Sequence, residues 1–226
     1  MHLRLSLAGA VVAVLATPAA AFAIPDFTLD KTCYVSARPD EREPVTINAS
    51  GFAGNTRMNV FVDEVSQAPA DSLPQTDGLG NLSGSVQAPY VDSGQRLFTL
   101  RLAEARDNGQ MATHVAKVTA LSVTQSPSTP ATTSSRVRFR VRGLTDKLAP
   151  VYAHYVFKGK VRQTVRLGKP YGDCGLLSVR RRQFPFKNPK PGRWWIQFDQ
   201  EQAYNPQARL YTKLKVEVTK KPRPQH

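Results

Sequence analysis

Residues 136–142 read Arg-Val-Arg-Phe-Arg-Val-Arg. A helix, turning about 100° per residue, would scatter these side chains around its axis. A strand instead places Arg136, Arg138, Arg140 and Arg142 on one face and Val137, Phe139 and Val141 on the other. The apolar face must then be covered by a second layer. The same period recurs downstream. Val161, Val165 and Leu167 oppose Arg162, Thr164 and Arg166, with Gln163 falling on the apolar parity, and Leu210, Leu214, Val216 and Val218 oppose Tyr211, Lys213, Lys215 and Glu217. With 151–157, 176–182 and 193–198, this half supplies about six strands with one wet and one dry face each. In Trp194-Trp195 the alternation sends one ring into the core and leaves the other as a possible contact residue.

The first half reads as short strands separated by turns. Residues 45–49 alternate ahead of the turn Ser50-Gly51-Phe52-Ala53-Gly54-Asn55, and Met58, Val60 and Val62 alternate with Asn59, Phe61 and Asp63. Asp77-Gly78 and Gly80-Asn81 mark turns before a strand at 82–86, and 96–102 and 114–123 complete the set. The expected fold from the strands is all-β: two antiparallel β-sandwich domains joined by a Ser/Thr/Pro linker.

Charge divides the chain at the same place. Of the net +14, residues 24–126 hold 8 Lys+Arg against 12 Asp+Glu, or −4, and residues 127–226 hold 22 against 5, or +17; Arg4 supplies the remainder. Between the halves, 125–135 is a Ser/Thr/Pro tract with no aliphatic side chain larger than Ala, which reads as a stiffened linker. The expected division is a signal peptide at 1–23, an N-terminal sandwich at 24–125, a linker at 126–135, a basic C-terminal sandwich at 136–219 and a basic tail at 220–226.

The leader reading rests on His2 and Arg4, an apolar run at 5–15 and the ending Ala21-Phe22-Ala23, which predicts cleavage before Ile24. The run is shorter than a membrane span of about 20 residues. No cysteine follows the cut to take a lipid, and no second apolar stretch occurs. The expected location is therefore secreted and associated with the cell envelope, without a membrane span; an uncleaved signal anchor is the competing reading.

Several strings carry a resemblance. Val151-Tyr152-Ala153-His154-Tyr155, Lys158-Gly159-Lys160, Thr164-Val165-Arg166-Leu167-Gly168, Cys174-Gly175, Arg181-Arg182-Gln183-Phe184-Pro185-Phe186, Trp194 and Gln197-Phe198-Asp199-Gln200 resemble a group of exported actinobacterial proteins with Ig-like folds. In the first half, Gly51-Phe52-Ala53-Gly54, 60–63 and Asp77-Gly78-Leu79-Gly80 resemble the bacterial Ig-like repeats of cell-surface proteins. The resemblance implies fold and export. It transfers no catalytic residue, because the group has no established activity.

Catalytic chemistry finds little purchase in the residues. Two cysteines and four histidines exclude a zinc scaffold, and no phosphate loop, dinucleotide fingerprint, nucleophile elbow or cofactor signature is present. His154 with Cys174 beside Asp173 is the one nucleophile and base arrangement to weigh, against a strand histidine and a structural half-cystine. The expectation is a non-catalytic structural, adhesive or partner-binding module of the cell envelope, whose partner is an envelope polymer or protein. The alternative is a polyanion-binding protein that holds acidic wall polymer, polysaccharide or nucleic acid. Its candidate contacts are Arg136, Arg138, Arg140 and Arg142, spaced about 7 Å apart along the strand, with Lys158, Lys160, Arg162 and Arg166 as a second row and Arg180 and Arg182 extending it. Tyr211 is a candidate stacking residue. A solvated face, or one docked on the acidic half, competes with this reading. The two cysteines, Cys33 and Cys174, are expected to pair in an oxidising compartment and so to clamp the two halves; two unpaired thiols are the alternative.

Overall fold

A computed structural model describes residues 24–67, 74–130 and 132–219; the leader and the basic tail lie outside this range. Among the described residues every regular element is a strand, and the strands form two sandwiches. In the first, β1 (Asp26–Leu29), β3 (Pro44–Ser50) and β6 (Leu82–Gln87) make one sheet. The other runs β2 (Cys33–Ser36), β8 (Met111–Ala120), β7 (Gln95–Glu104), β4 (Met58–Val62) and β5 (Val65–Ser66). One pair, β2 with β8, is parallel in otherwise antiparallel sheets. The chain leaves β1 at the edge of one sheet and crosses at residues 30–32 to the other, where it meets β8 running the same way.

The second sandwich packs β9 (Ser122–Ser126), β10 (Arg136–Arg142) and β13 (Leu177–Arg182), in the order β13-β10-β9, on a second sheet of four strands. That sheet runs β12 (Lys160–Gly168), β11 (Val151–Phe157), β14 (Gly192–Asp199) and β15 (Thr212–Val218). Period-two burial builds both cores. Val45, Ile47, Met58, Val60, Phe98, Leu100 and Leu102 fill the first, and Val137, Phe139, Val141, Tyr155, Trp194, Ile196 and Phe198 fill the second.

The Ser/Thr/Pro tract does not join the sandwiches. The single residue Leu121 separates β8 from β9, and Ser122–Ser126 already pairs with Arg138–Arg142 of β10. Only the first two residues of the tract, Gln125 and Ser126, are strand, since a free strand edge rewards backbone pairing whatever the side chains. Residues 132–135 lie at the far end of the second sandwich, where Gln183 N donates to Ser135 O at 2.9 Å and Phe184 N to Thr133 O at 3.1 Å. The expected strand at 114–123 is thus two strands in two domains.

Close packing at the junction depends on glycine. A Cβ on Gly143 (φ 86°) would sit 2.9 Å from Leu121 Cα, and one on Gly175 (φ 59°) only 2.2 Å from Leu144 O. Beside Gly175, Cys174 is bonded to Cys33 of the first sandwich, with the Cα atoms 5.3 Å apart. Arg142 reaches Gln95 across the junction at 3.4 Å, and Arg38 donates to Tyr211 Oη at 3.2 Å.

The first sandwich buries one carboxylate. Glu104 at the end of β7 has a fully buried side chain that accepts from Ala53 N at 2.8 Å, Gln110 N at 3.0 Å and Arg106 Nε at 2.8 Å. Burial alone would raise its pKa. The two backbone N–H groups and the Arg106 guanidinium outweigh that and hold it below the usual carboxylate range. A depressed folded value means that the charged form contributes stability above the unfolded pKa of about 4.3, and that this is lost as pH falls through the folded value. Glu104→Ala should cost about 2–4 kcal/mol at pH 7, because two buried donors lose their acceptor. In urea titrations the gap to the parent chain should begin to narrow as pH falls below the unfolded value of about 4.3 and close further through the lower folded value; a gap that is constant with pH would assign the loss to packing instead.

Candidate functional site

The outer face of the β13-β10-β9 sheet gathers the sequence-predicted arginines. Arg136, Arg138 and Arg140 are exposed on β10. Antiparallel register sets Arg136 directly opposite Arg182 and Arg138 opposite Arg180, with Ser178 opposite Arg140. On the other flank, Ser126, Thr124 and Ser122 lie opposite Arg138, Arg140 and Arg142. Residues directly opposite share a face, with Cβ atoms about 5 Å apart, and like charges so placed are destabilising. The ion pairs of this sandwich among the described residues are Lys147–Asp173, His154–Asp199 and Arg193–Glu217, so these five arginines carry no carboxylate partner there. Docking on the acidic half does not account for them either: Arg142, half-buried, turns toward the first sandwich and the others stay exposed.

The expected second row is not continuous with the first. It belongs to the other sheet, and its parity breaks. Tyr155 pairs with Gln163 and Val156 with Val161, so Arg162 is the extra residue of a bulge. Arg166 shares the outer face with Tyr152, whereas Lys160 pairs with inward-facing Phe157 and Lys158 sits in the turn at positive φ, its Nζ 5.7 Å from the Phe157 ring centroid. The bulge carries Val161 to the outer face beside Val156, while Gln163, opposite inward-facing Tyr155, keeps the inner parity of Val165.

Topology also sorts the charges by end. The β10–β11, β12–β13 and β14–β15 loops face the junction and carry Asp146, Asp173 and Glu201, with Asp199 at the end of β14 beside them. Lys147 beside Asp173, through a 2.9 Å hydrogen bond and its charge, holds that carboxyl below its ordinary range. The distal end bears Arg136, Arg182, the Lys158–Lys160 turn, Lys187 and Lys190. Alternate loops of an antiparallel sandwich lie at opposite ends, so carboxylates far apart in sequence collect near the first domain.

A polar cluster that sequence reasoning read only as strand lies under residues 200–211. On the outer face of the four-stranded sheet, His154, Gln197 and Asp199 are fully buried. His154 Nε2 lies 3.1 Å from both Asp199 Oδ1 and Glu201 O. Both are acceptors, so this nitrogen donates, and Thr164 Oγ1 lies 2.9 Å from Nδ1. Gln197 Nε2 donates to Asp199 Oδ2 at 2.8 Å and Asn205 O at 2.7 Å, and Glu201 N donates to Asp199 Oδ1 at 3.0 Å. The cluster ties the long loop to the sheet. A His154 and Cys174 catalytic pair does not form, since Cys174 is oxidised to Cys33 and the imidazole is held by other partners. Tyr211 is not a free stacking ring: Arg38 approaches it to 5.8 Å from its centroid and Lys213 to 4.5 Å.

Trp194 points inward, 2% exposed, its Nε1 donating to Lys190 O at 2.8 Å, and Trp195 is the outward ring, 41% exposed. Among the described residues no group of histidine, cysteine and acidic side chains could hold a metal ion, and no helix is long and apolar enough to cross a membrane.

No family model matches the sequence, and the search of curated proteins finds no relative. Among solved structures, the chain is similar to the D00-D0 domain of Intimin at 10% identity and a TM-score of 0.40, over 87% of this chain and 100% of that one. It is also similar to Rst D1-D2 at 12% identity and a TM-score of 0.30, over 85% and 98%. Likeness at this level carries no functional assignment. The all-β, two-sandwich, Ig-like fold stands on the strand pairing itself.

Proposed function

We propose that the chain is an exported, non-catalytic structural or adhesive module of the bacterial cell envelope that holds a partner on sandwiches clamped to each other. The observation that carries this reading is the bond between Cys33 and Cys174. It fixes two surfaces relative to one another, and such bonds persist in oxidising compartments. The leader read from residues 1–23 agrees with that location.

A second reading, that the basic sandwich holds an acidic polymer, is favoured by the facing pairs Arg136–Arg182 and Arg138–Arg180. Among the described residues no carboxylate offsets their repulsion, and a bound polyanion would relieve it. Arginine offers planar paired donors to phosphate or carboxylate. Retention of the chain on acidic polymers and on envelope proteins, measured over a salt series, separates the two readings. Steep salt dependence supports the polymer, and salt-insensitive capture by a single protein supports the adhesive role. Arg180→Gln with Arg182→Gln should raise stability by about 0.2–1 kcal/mol per relieved pair. The same change should weaken polymer retention and, on nucleic acid, lower the log–log salt slope by about 0.7–0.9 per lost contact. If the unmodified chain is not retained at low salt, the arginine face is solvation only and the adhesive reading stands alone.

A further inference from the structure

The opposite face of the same sandwich carries a different kind of surface. On the outer side of the four-stranded sheet, Val161, Val156 and Trp195 stand in one row, because Val156 pairs with Val161 on one flank and with Trp195 on the other. Val156 is only 5% exposed although it lies outside the core cluster, so its two neighbours roof it. They themselves stay open, Val161 at 43% and Trp195 at 41%. With strands about 4.8 Å apart, the strip runs about 10 Å across the sheet. Lys215 lies directly opposite Trp195 at one end, and Arg162 sits in the bulge at the other. Both are exposed, and neither is in an ion pair of this sandwich among the described residues. Arg193, one pleat away on β14, is only 4.0 Å from Glu217 in a solvent-exposed pair.

We infer that this strip is a binding site for an acidic polysaccharide, with sugar rings lying on Trp195 and the valines and with Lys215 and Arg162 taking the anionic substituents. A flat apolar strip ending in cations suits a ligand that alternates C–H faces with charge. A polyanion without rings has no use for the indole. A single-stranded nucleic acid is held by successive aromatics under successive bases, and here the ring is followed by valines. The site is independent of the arginine face, which lies on the other sheet.

The test uses the full disulfide-bonded chain at low salt with polygalacturonate, polyphosphate and single-stranded DNA as probes. Polygalacturonate should shift tryptophan emission, since Trp195 is the exposed ring of the two. Trp195→Ala should bind it about tenfold more weakly, whereas Trp195→Phe keeps most of the affinity. Polyphosphate binding should not respond to either change. Arg180→Gln with Arg182→Gln should leave the Trp195 dependence in place even if the arginine face proves inert. Polygalacturonate binding unchanged in Trp195→Ala would overturn the site, and an equal loss for DNA would overturn the choice of ligand. An open side chain is replaced, so the variant should fold; its far-ultraviolet circular dichroism checks this.

Discussion

A chain carrying Cys33→Ala and Cys174→Ala is expected to unfold in two separate steps, with its less stable sandwich melting at least about 10 °C below the parent. The bond spans 141 residues, and closing a loop of that size restricts the unfolded chain by about 4–5 kcal/mol. Both ends are firmly seated: Cys33 is buried in β2 beside β8, and Cys174 lies in a tight turn whose carbonyl accepts from Gly143 N at 3.1 Å. Without it the junction keeps the chain at Leu121 and polar contacts that include Arg142–Gln95, Arg38–Tyr211 and the hydrogen bond between Asp173 and Thr32. These polar contacts are exposed and individually weak. Each sandwich has its own core, so each should still fold. Scanning calorimetry of both forms reads the outcome directly. A single transition at the parental temperature in the double variant would mean that non-covalent packing, not the bond, couples the domains.

His154→Ala should destabilise the second sandwich by about 2–4 kcal/mol, the range for emptying a buried site and stranding hydrogen-bond partners. The ring's removal takes one partner from Asp199, leaves Glu201 O without the imidazole N–H and opens a cavity beside Tyr204, whose ring centroid lies 5.6 Å away. The effect should be local. Residues 200–211 should exchange their amide hydrogens faster, and Tyr211 should loosen from Arg38, while the first sandwich keeps its protection pattern. Protection of that loop unchanged by the substitution would show that Gln197, through Asn205 O, holds it without the histidine.

How much was legible in advance can be judged from particular strands. The run Arg136–Arg142 declared its faces completely, and β4, β14 and β15 did nearly so, because alternation is a local steric property of extended chain. The outward placement of one tryptophan of the pair followed from the same rule; that it is Trp195 required the register of β14 on β11. Short strands such as β1, β2 and β5 passed unseen, since two to four residues give no period to read.

Sequence alone determined the period-two strands, the two apolar cores they imply and the concentration of positive charge in the second half. The pairing of Cys33 with Cys174, expected from the count of two, is also what the structure shows. Only the tertiary structure decided that the expected strand at 114–123 breaks at Leu121 between two sandwiches, that Arg162 is bulged out of its row, that Arg136 faces Arg182 and that a loop buries His154 with Asp199. The physical reason is range. Which face a side chain takes depends on its immediate neighbours along the backbone, whereas which strand lies beside it, in what register and under which loop depends on residues tens of positions away.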